Sequence, residues 1–390
     1  MEERRSIRKH KKESIVHKMA GIVFIAVLTL FLVINVIIPD REFSDKENRS
    51  LTQSPAITLR TIANGKYMEE FESWQSDQFA FRQFWVTLKT KISYIEGERE
   101  SNGVYRGKNH CLLEEIKVPD EESLEENLEA INTFQMTYED IPMYMCLVPN
   151  AANVWEEKLP ALAVTRDQDK QFALAKGKLN ETINWVDMKK NLEKHKDQEI
   201  YYHTDHHWTT LGAYYGYQVF AQAAGLNTEK IEAMKPYAAT AEFNGTLSSV
   251  SGYESGYEEP IYFYYSEEMP EVVVHYVEQQ TKTSTLYDRS KLNEKDKYAM
   301  FLGGNYPLID IRTTAESEEV LLVLKDSYAN CFLPFLTDGY REIVVVDPRY
   351  YFGNVNNIMK NYGITQVLFL YNMNTFVEDN NIRGVLENEE

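Results

Sequence analysis

Cysteine is scarce in this sequence of 390 residues, which contains three of them, Cys111, Cys146 and Cys331. So few cysteines cannot build a disulfide framework, and their wide spacing excludes a structural zinc site made of closely spaced cysteine pairs. Basic residues are also few, because 41 lysines and arginines face 60 aspartates and glutamates and leave a net charge of −19. A protein that binds nucleic acid needs a basic surface to neutralise phosphates, so the composition argues against that function.

The basic residues that are present concentrate at the N-terminus. Residues 1–18 contain seven lysines and arginines against three glutamates, a net charge of +4, whereas residues 19–38 carry no charge. Twenty helical residues rise about 30 Å, which is the thickness of a bilayer core. Because basic flanks stay inside, we predict a cytoplasmic tail at 1–18, a single transmembrane helix at 19–38 and an extracytoplasmic chain from residue 39. A cleaved signal peptide would have a shorter apolar region followed by small residues, so we predict that this helix is an uncleaved anchor.

Residues 39–110 predict a polar connector followed by an amphipathic helical segment. Apolar and aromatic residues recur there at steps near three, four and seven, which is the pattern of a helix with one apolar face. We expect this face to pack as core rather than to bind a ligand. Its members are Tyr67, Phe71, Trp74, Phe81, Trp85, Leu88 and Ile92.

From residue 111 to residue 390, short apolar runs alternate with helical patterns. Continuous apolar strands joined by helical crossovers predict an α/β fold with a parallel sheet covered by helices on both faces. Residues 239–290, rich in Gly, Ser, Tyr and Glu, predict a partly β insert at the surface. The strand-like runs are 143–148, 199–202, 320–324, 343–346 and 366–371, and the predicted helices include 328–336 and 354–362.

Polar side chains follow four of the predicted strands. In open parallel sheets the ligand binds in the crevice at the carboxyl ends of the strands, so these side chains are expected to converge on one cleft. They are Asp205, His206, His207 and Trp208 in one loop, Asp326 and Ser327 in a second, Asp347 and Arg349 in a third, and Asn372 and Asn374 in a fourth.

The histidine loop admits three interpretations on its own. A serine nucleophile needs an imidazole to accept its proton and a carboxylate to orient that imidazole, and His207 with Asp205 could form such a pair. His203, Asp205 and His207 also have the ligand chemistry for zinc. A merely polar loop is the third interpretation.

Ser327 also has two interpretations. After a strand, Asp and Ser are the usual residues that cap a following helix, and a capping role alone would explain this serine. A serine on a tight turn from strand to helix is also exposed above the sheet, with a backbone N–H directed at a developing oxyanion. Gly303, Gly304 and Asn305, in the turn FLGGN, are further candidate donors.

Several segments resemble those of the DHHW family of bacterial proteins. The run TDHHWTTLGAYYGY carries its signature, and FSDKENRSL, DQFAFR, FLGGNYP and LLVLKDSYANCFLPFL are similar to other recurring segments of the family. The family is similar in turn to the SGNH-hydrolase-like domain of alginate O-acetyltransferase proteins, in which an Asp-x-His-Trp motif precedes the nucleophilic serine. The resemblance therefore implies that Asp205 is the acid, His207 the base and Ser327 the nucleophile of an SGNH-hydrolase-like catalytic domain over residues 111–390.

Five residues are candidates for oxyanion or substrate binding, and we expect no cofactor and no metal. SGNH hydrolases usually have Gly-Asp-Ser at the nucleophile, whereas this sequence has Lys325, Asp326 and Ser327. Arg349 matches a substrate arginine by position, although a salt bridge on a loop would equally explain it. The full set of candidates is Gly304, Asn305, Arg349, Asn372 and Trp208, the last of which completes the motif.

An exposed Ser-His-Asp site performs acyl transfer to water or to a hydroxyl. Together with the predicted anchor, the resemblance implies a membrane-anchored extracytoplasmic O-acetyltransferase that modifies a cell-surface or secreted polysaccharide. It implies an acyl donor as partner, a membrane-bound O-acyltransferase that passes acyl groups through the bilayer. The alternatives are a serine-type polysaccharide acetylesterase and a non-catalytic glycan-binding scaffold subunit.

Overall fold

A computed structural model describes residues 2–44, 49–253, 256–379 and 381–387. The chain divides into two compact units, Met1–Lys91 and Ile92–Glu390. The elements of the first unit are α1 (Glu2–Ile37), β1 (Phe43–Ser44), β2 (Arg49–Ser50), α2 (Leu59–Ala63), α3 (Lys66–Gln78) and the start of α4 (Arg82–Glu96).

The predicted membrane segment lies in α1. Its apolar part, His17–Ile37, has 21 residues, a mean hydropathy of 2.8 and no buried side chains. At 1.5 Å per residue it is long enough to cross a bilayer core of about 30 Å. The described part of the chain therefore has one helix that meets the requirements of a membrane span, at the position where the sequence predicts it.

The amphipathic helical segment corresponds to α3 and α4, but its apolar face is not the buried core that we expected. Phe79 and Trp85 pack on Phe31 of α1, with ring centroids 6.3 and 5.8 Å from it. Phe81 and Phe84 are 61% and 59% exposed. Two short helices joined at one corner can bury only the aromatic residues that point at a neighbour, so the rest of the face remains uncovered.

The second unit contains a central sheet, helices on its faces and two smaller sheets. The elements up to residue 194 are β3 (Glu100–Ser101), β4 (Val104–Arg106), β5 (Leu112–Glu114), α5 (Glu121–Thr137), β6 (Met143–Val148), α6 (Ala151–Val154), α7 (Gln168–Lys178), β7 (Asn184–Trp185) and α8 (Met188–Lys194). The middle elements are α9 (Thr210–Ala224), α10 (Glu229–Glu232), β8 (Lys235–Phe243), α11 (Thr246–Ser251), β9 (Glu259–Tyr265), β10 (Val272–Tyr276) and β11 (Thr281–Thr283). The last are β12 (Leu308–Thr313), β13 (Val320–Lys325), β14 (Glu342–Val346), α12 (Val355–Tyr362), β15 (Gln366–Asn372), α13 (Met373–Glu378) and α14 (Ile382–Glu387).

The central sheet has eight strands in the order β11-β10-β12-β14-β13-β15-β6-β7. Strands β14, β13, β15, β6 and β7 are parallel, and β12, β10 and β11 extend the sheet in antiparallel pairing. The predicted α/β fold with helices around a sheet is confirmed, and the parallel prediction holds for five of the eight strands. The antiparallel part includes β10 and β11, so the partly β insert contributes directly to the central sheet.

Side chains of the central strands alternate between two hydrophobic cores. In β13, Leu321 and Val323 belong to one core, whereas Val320, Leu322 and Leu324 belong to the other. All five are fully buried. Because successive side chains of a strand point to opposite faces, a continuous apolar run is what a strand covered on both faces requires.

Two predicted elements differ in the structure. Residues 199–202 do not form a strand of the central sheet, and Tyr201 makes only an isolated bridge to Trp208. The predicted helix at 328–336 consists of two short 3₁₀ helices, Ser327–Cys331 and Leu333–Leu336. Pro334 lies in the second of them, and because proline lacks the N–H that an α-helix needs there, the α-helical hydrogen bonding cannot continue through this segment.

Candidate active site

Ser327 lies on the turn that follows β13. The preceding residue, Asp326, is the cap: its Oδ1 accepts from the Tyr328 N–H at 2.9 Å, and its Oδ2 accepts from the Asn372 N–H at 2.8 Å. The capping interpretation of Ser327 is therefore wrong, because its neighbour performs that role. The Ser327 hydroxyl is left to interact with the histidine loop.

The histidine loop, which approaches Ser327, lies about 120 positions earlier in the chain. Tyr202 donates its N–H to the His207 carbonyl at 3.2 Å, so the loop folds back on itself between Tyr201 and Trp208. Trp208 Nε1 then donates to the Tyr328 carbonyl at 2.8 Å, which joins the loop to the serine turn. The Tyr328 hydroxyl donates in return to the His206 carbonyl. These reciprocal hydrogen bonds hold the two segments together.

Asp205, His207 and Ser327 form one hydrogen-bonded chain. His207 Nδ1 lies 2.5 Å from Asp205 Oδ1, and His207 Nε2 lies 2.8 Å from Ser327 Oγ. An ionised carboxylate only accepts hydrogen bonds, so Nδ1 carries the imidazole proton and Nε2 is free to accept the proton of the serine. This is the arrangement in which an imidazole acts as general base toward a hydroxyl.

The ionisation states of Asp205 and His207 suit this role at neutral pH. Burial, reinforced by His206, lowers the pKa of His207 to about 4 although Asp205 opposes the shift. Burial acts against ionisation of Asp205, but His206, His207 and the Thr246 N–H outweigh it and hold the pKa of this carboxyl below its ordinary value. Above pH 4 the imidazole is therefore neutral and the carboxylate is ionised, as a general base and its orienting group must be.

Two rings sandwich the imidazole of His207. The Tyr298 ring stacks on it with a centroid distance of 3.8 Å and an interplanar angle of 10°, and the His206 ring lies 3.9 Å from its other side. The Tyr298 hydroxyl also donates to the Ser327 carbonyl at 3.1 Å. Sequence analysis missed Tyr298, which is one of 26 tyrosines and belongs to no spacing pattern that would have revealed it.

Residues of the insert hold the histidine loop in place through hydrogen bonds. Glu259 of β9 accepts hydrogen bonds from the backbone N–H groups of His203 and Thr204, both at 2.8 Å, and from the Thr204 hydroxyl at 2.6 Å. The Thr246 N–H donates to Asp205 Oδ2 at 2.8 Å. A Cβ at Gly245 would lie 2.3 Å from Asp205 Cβ, so only glycine permits this approach. Sequence analysis missed these three residues also, because their contacts with the loop are long-range.

The metal interpretation applies to a different set of residues from the one that we considered. The ligand atoms of Asp205, His206 and His207 lie within 4.8 Å of one another and could hold an ion. The His203 ring instead contacts Glu199, with Nε2 at 2.7 Å from Oε2. Both ring nitrogens of His207 already have partners in Asp205 and Ser327, so an ion at this set would have to displace one of these hydrogen bonds.

Arg349 and Asn372 flank Ser327 at the edge of the sheet. Arg349 follows β14 and makes a two-point contact with Asp347, Nε to Oδ1 at 2.8 Å and Nη2 to Oδ2 at 2.7 Å. The salt-bridge interpretation is thus correct for Arg349, yet its side chain is still 27% exposed. Asn372 ends β15, and both residues line a cavity of about 230 Å³ that His206 also borders.

The other three candidates make different contacts. Trp208 is fully buried against Gly216 and Phe332, so it cannot contact a substrate and our prediction of a substrate-binding role is wrong for it. Gly304 donates its N–H to the Phe301 carbonyl at 3.3 Å, which engages the group that an oxyanion would need.

Asn305, the remaining candidate, is tied to the residues around the turn after β13. Its Oδ1 accepts from the fully buried ammonium of Lys325 at 3.0 Å and from Asn330 at 3.1 Å. These hydrogen bonds direct the amide oxygen toward the base of the turn.

Two kinds of similarity relate the chain to known proteins, a family profile and solved structures. A family profile described as DHHW protein matches residues 123–346, which is more than half of the chain. A search of curated proteins finds no match.

Solved structures with the same fold were found. A DHHW family protein from Eubacterium siraeum DSM 15702 shares 24% identity over 74% of this chain and 96% of its own, with a TM-score of 0.65. Bacillus cereus PatB1 with a sulfonyl adduct shares 22% identity over 72% of this chain and 99% of its own, with a TM-score of 0.60. The O-acetyltransferase domain of Pseudomonas putida AlgJ shares 17% identity over 71% and 93% of the two chains, with a TM-score of 0.46.

Proposed function

The chain belongs to the DHHW family, and from this premise we propose that it is a serine O-acyltransferase that transfers acetyl groups to a cell-surface or secreted polysaccharide. The observation that carries the proposal is the hydrogen-bonded chain from Asp205 through His207 to Ser327. In this proposal Ser327 is the nucleophile, His207 the general base and Asp205 the residue that orients it.

The chemistry proceeds in two halves. Ser327 Oγ attacks the carbonyl carbon of an acyl donor while its proton passes to His207 Nε2, and the donor's leaving oxygen takes that proton as its bond to the acyl group breaks. An acceptor hydroxyl then attacks the acyl-serine, gives its proton to His207 and leaves as the new ester, and the proton returns to Ser327 Oγ. The same site with water as acceptor would be an esterase.

The N-terminal helix supports a membrane anchor with the catalytic unit outside the cell. The basic residues 1–18 favour a cytoplasmic N-terminus, since such flanks resist translocation. A domain on the extracytoplasmic side of the membrane has no access to cytoplasmic acyl carriers. Its acyl group must therefore come through the bilayer. The partner in this proposal is a membrane-bound O-acyltransferase that supplies the acyl group, and the acceptor is a polysaccharide.

Hydrolysis of p-nitrophenyl acetate by the full chain in detergent tests the nucleophile. Ser327→Ala should lower the rate at least about a thousandfold, because the residue that carries the acyl group is lost. Ser284→Ala, at an exposed serine, is the matched control and should leave the rate unchanged. Wild-type hydrolysis by the Ser327→Ala variant, with contaminating esterases excluded, would refute the assignment.

Product analysis with an acetylated glycan and a free acceptor separates the alternatives. Acetyl transfer to the acceptor supports the proposal, whereas release of acetate without transfer would favour the acetylesterase. Glycan binding together with the absence of any acyl-enzyme would favour the scaffold subunit.

A further inference from the structure

The cavity of about 230 Å³ is lined by residues that neighbour the proposed nucleophile in the fold. Strand β13, which leads to Ser327, is hydrogen-bonded to β14 on one side and to β15 on the other. Arg349, which follows β14, and Asn372, the last residue of β15, both line the cavity. His206 lines it as well, and its ring lies 3.9 Å from the ring of His207. A ligand in this cavity would therefore sit next to the reacting groups.

The lining of this cavity has the chemistry of a saccharide site. Every described residue that lines it has a polar side chain, including the amides of Asn372, Asn374 and Asn381. None of these residues has a purely hydrocarbon side chain against which an acyl chain could pack. Amides and carboxylates bind hydroxyl groups well, because they supply both donors and acceptors.

The cavity also carries an excess of negative charge. Three carboxylates line it, those of Glu114, Glu378 and Asp379, against the one guanidinium of Arg349. That guanidinium is already neutralised by its two-point contact with Asp347. Among the described residues that line the cavity, an anionic ligand would therefore meet three carboxyl groups and one guanidinium that already has a carboxylate partner.

One buried carboxylate oxygen in the cavity lining has no hydrogen bond. Asp379 is 5% exposed, and its Oδ1 accepts from the N–H groups of Asn381 at 2.6 Å and Ile382 at 3.1 Å. Within the described residues, its Oδ2 has no partner. A buried acceptor without a donor is costly, so this atom points to a ligand that supplies a hydroxyl or ammonium hydrogen.

We propose that this cavity is the acceptor subsite and that it takes a sugar without acidic groups, neutral or amine-bearing, rather than a uronate. The inference rests on the proposed acyl transfer and specifies its acceptor. A hydroxyl oxygen of the bound sugar attacks the acyl carbonyl on Ser327, its proton moves to His207 Nε2, and Ser327 Oγ recovers that proton as its ester bond breaks. The carboxylates of the cavity select the sugar by accepting hydrogen bonds from its other polar groups.

Equilibrium binding to the full chain in detergent tests this selection. The Ser327→Ala variant prevents turnover, and the probes are a cellulose hexamer, a chitosan hexamer and a hexamer of galacturonate. We expect the first two to bind at least about tenfold more tightly than the uronate. Glu378→Gln should reduce this ratio severalfold, whereas Glu129→Gln, on an exposed face of α5, should not change it.

The ratio also has a salt dependence that requires no variant. Repulsion of the uronate weakens when salt screens the charges, so the preference should shrink as ionic strength rises. Uronate binding as tight as that of the other two sugars, a ratio unmoved by both Glu378→Gln and salt, or no binding of any probe would overturn the proposal. Failure of the acyl-transfer function itself would appear separately, as wild-type hydrolysis of p-nitrophenyl acetate that does not depend on Ser327.

Discussion

Replacing Asp205 by asparagine should inactivate the site although the new side chain has nearly the same size and shape. Asp205 Oδ1 accepts from both the N–H and the Nδ1–H of His207, at 3.0 and 2.5 Å, and Oδ2 accepts from the Thr246 N–H at 2.8 Å. Both oxygens therefore face donors. An asparagine has one oxygen and one NH₂ group, so in either orientation its amide hydrogens oppose an N–H.

The magnitude follows from these two orientations. If the NH₂ group faces His207, it stabilises the tautomer with the proton on Nε2, which cannot accept the proton of Ser327. If it faces Thr246, that N–H loses its acceptor and the substituted side chain is pushed from the position that Asp205 occupies. Either way the negative charge that stabilises the imidazolium is lost. In serine hydrolases the corresponding change lowers kcat about 10⁴-fold, equivalent to about 5.5 kcal/mol of transition-state stabilisation, and we expect a loss of about 10³- to 10⁴-fold here.

The assay is hydrolysis of p-nitrophenyl acetate as a function of pH. Asp310→Asn is the matched control, because Asp310 is another buried aspartate but lies within the central sheet on β12. Its rate should stay within a few fold of wild type. An Asp205→Asn variant that kept more than about a tenth of the wild-type rate, with an unchanged pH profile, would refute the assigned role of Asp205.

Three further predictions concern the same site. The hydrolysis rate should fall as the pH drops through about 4, because His207, whose pKa burial lowers to that value, then gains a proton and cannot act as base; a rate that already falls near pH 6.5 would contradict this. Tyr298→Phe should lower the hydrolysis rate only a few fold. Tyr298→Leu, which removes the stacked ring, should lower the rate about ten- to a hundredfold and raise the pKa of His207 by admitting water. Equal pH profiles for the two variants would count against a role for the stacking. Gly245→Ala should lower activity at least about a hundredfold by displacing Asp205, whereas Gly177→Ala, which meets nothing within 4 Å, should be harmless; similar activities of the two variants would show that the close approach is unimportant.

The sequence was most informative where one physical requirement controls a local pattern. Strands β6, β13 and β15 are covered on both faces, and their unbroken apolar runs predicted them almost to the residue. Strands β10 and β12, in the antiparallel part of the sheet, gave no such signal. Most residues of β10 are partly or fully exposed, and the buried Asp310 interrupts the apolar run of β12. Residues 199–202 had an apolar pattern like that of a strand, but the chain turns back into the histidine loop after a single bridge.

Some residues of the site could likewise be predicted from the sequence and others could not. The roles of Asp205, His207 and Ser327 were predicted from the resemblance to the DHHW family, because the residues alone left several interpretations open. Their neighbours Tyr298 and Glu259 act through contacts that cross 91 and 56 positions from His207 and His203, and no local pattern encodes such distances. The ring stacked on the imidazole and the carboxylate that holds its loop were therefore found only in the three-dimensional structure.

Chemical trapping of the nucleophile tests the central claim most directly. The full chain is treated with phenylmethylsulfonyl fluoride at neutral pH, digested and analysed by mass spectrometry. We predict a single sulfonyl adduct on Ser327, formed in the wild type and in Ser284→Ala but strongly reduced in His207→Ala, because the imidazole activates the hydroxyl. An adduct on another residue, or labelling of Ser327 that is unaffected by the loss of His207, would contradict the assignment of Ser327 as an activated nucleophile.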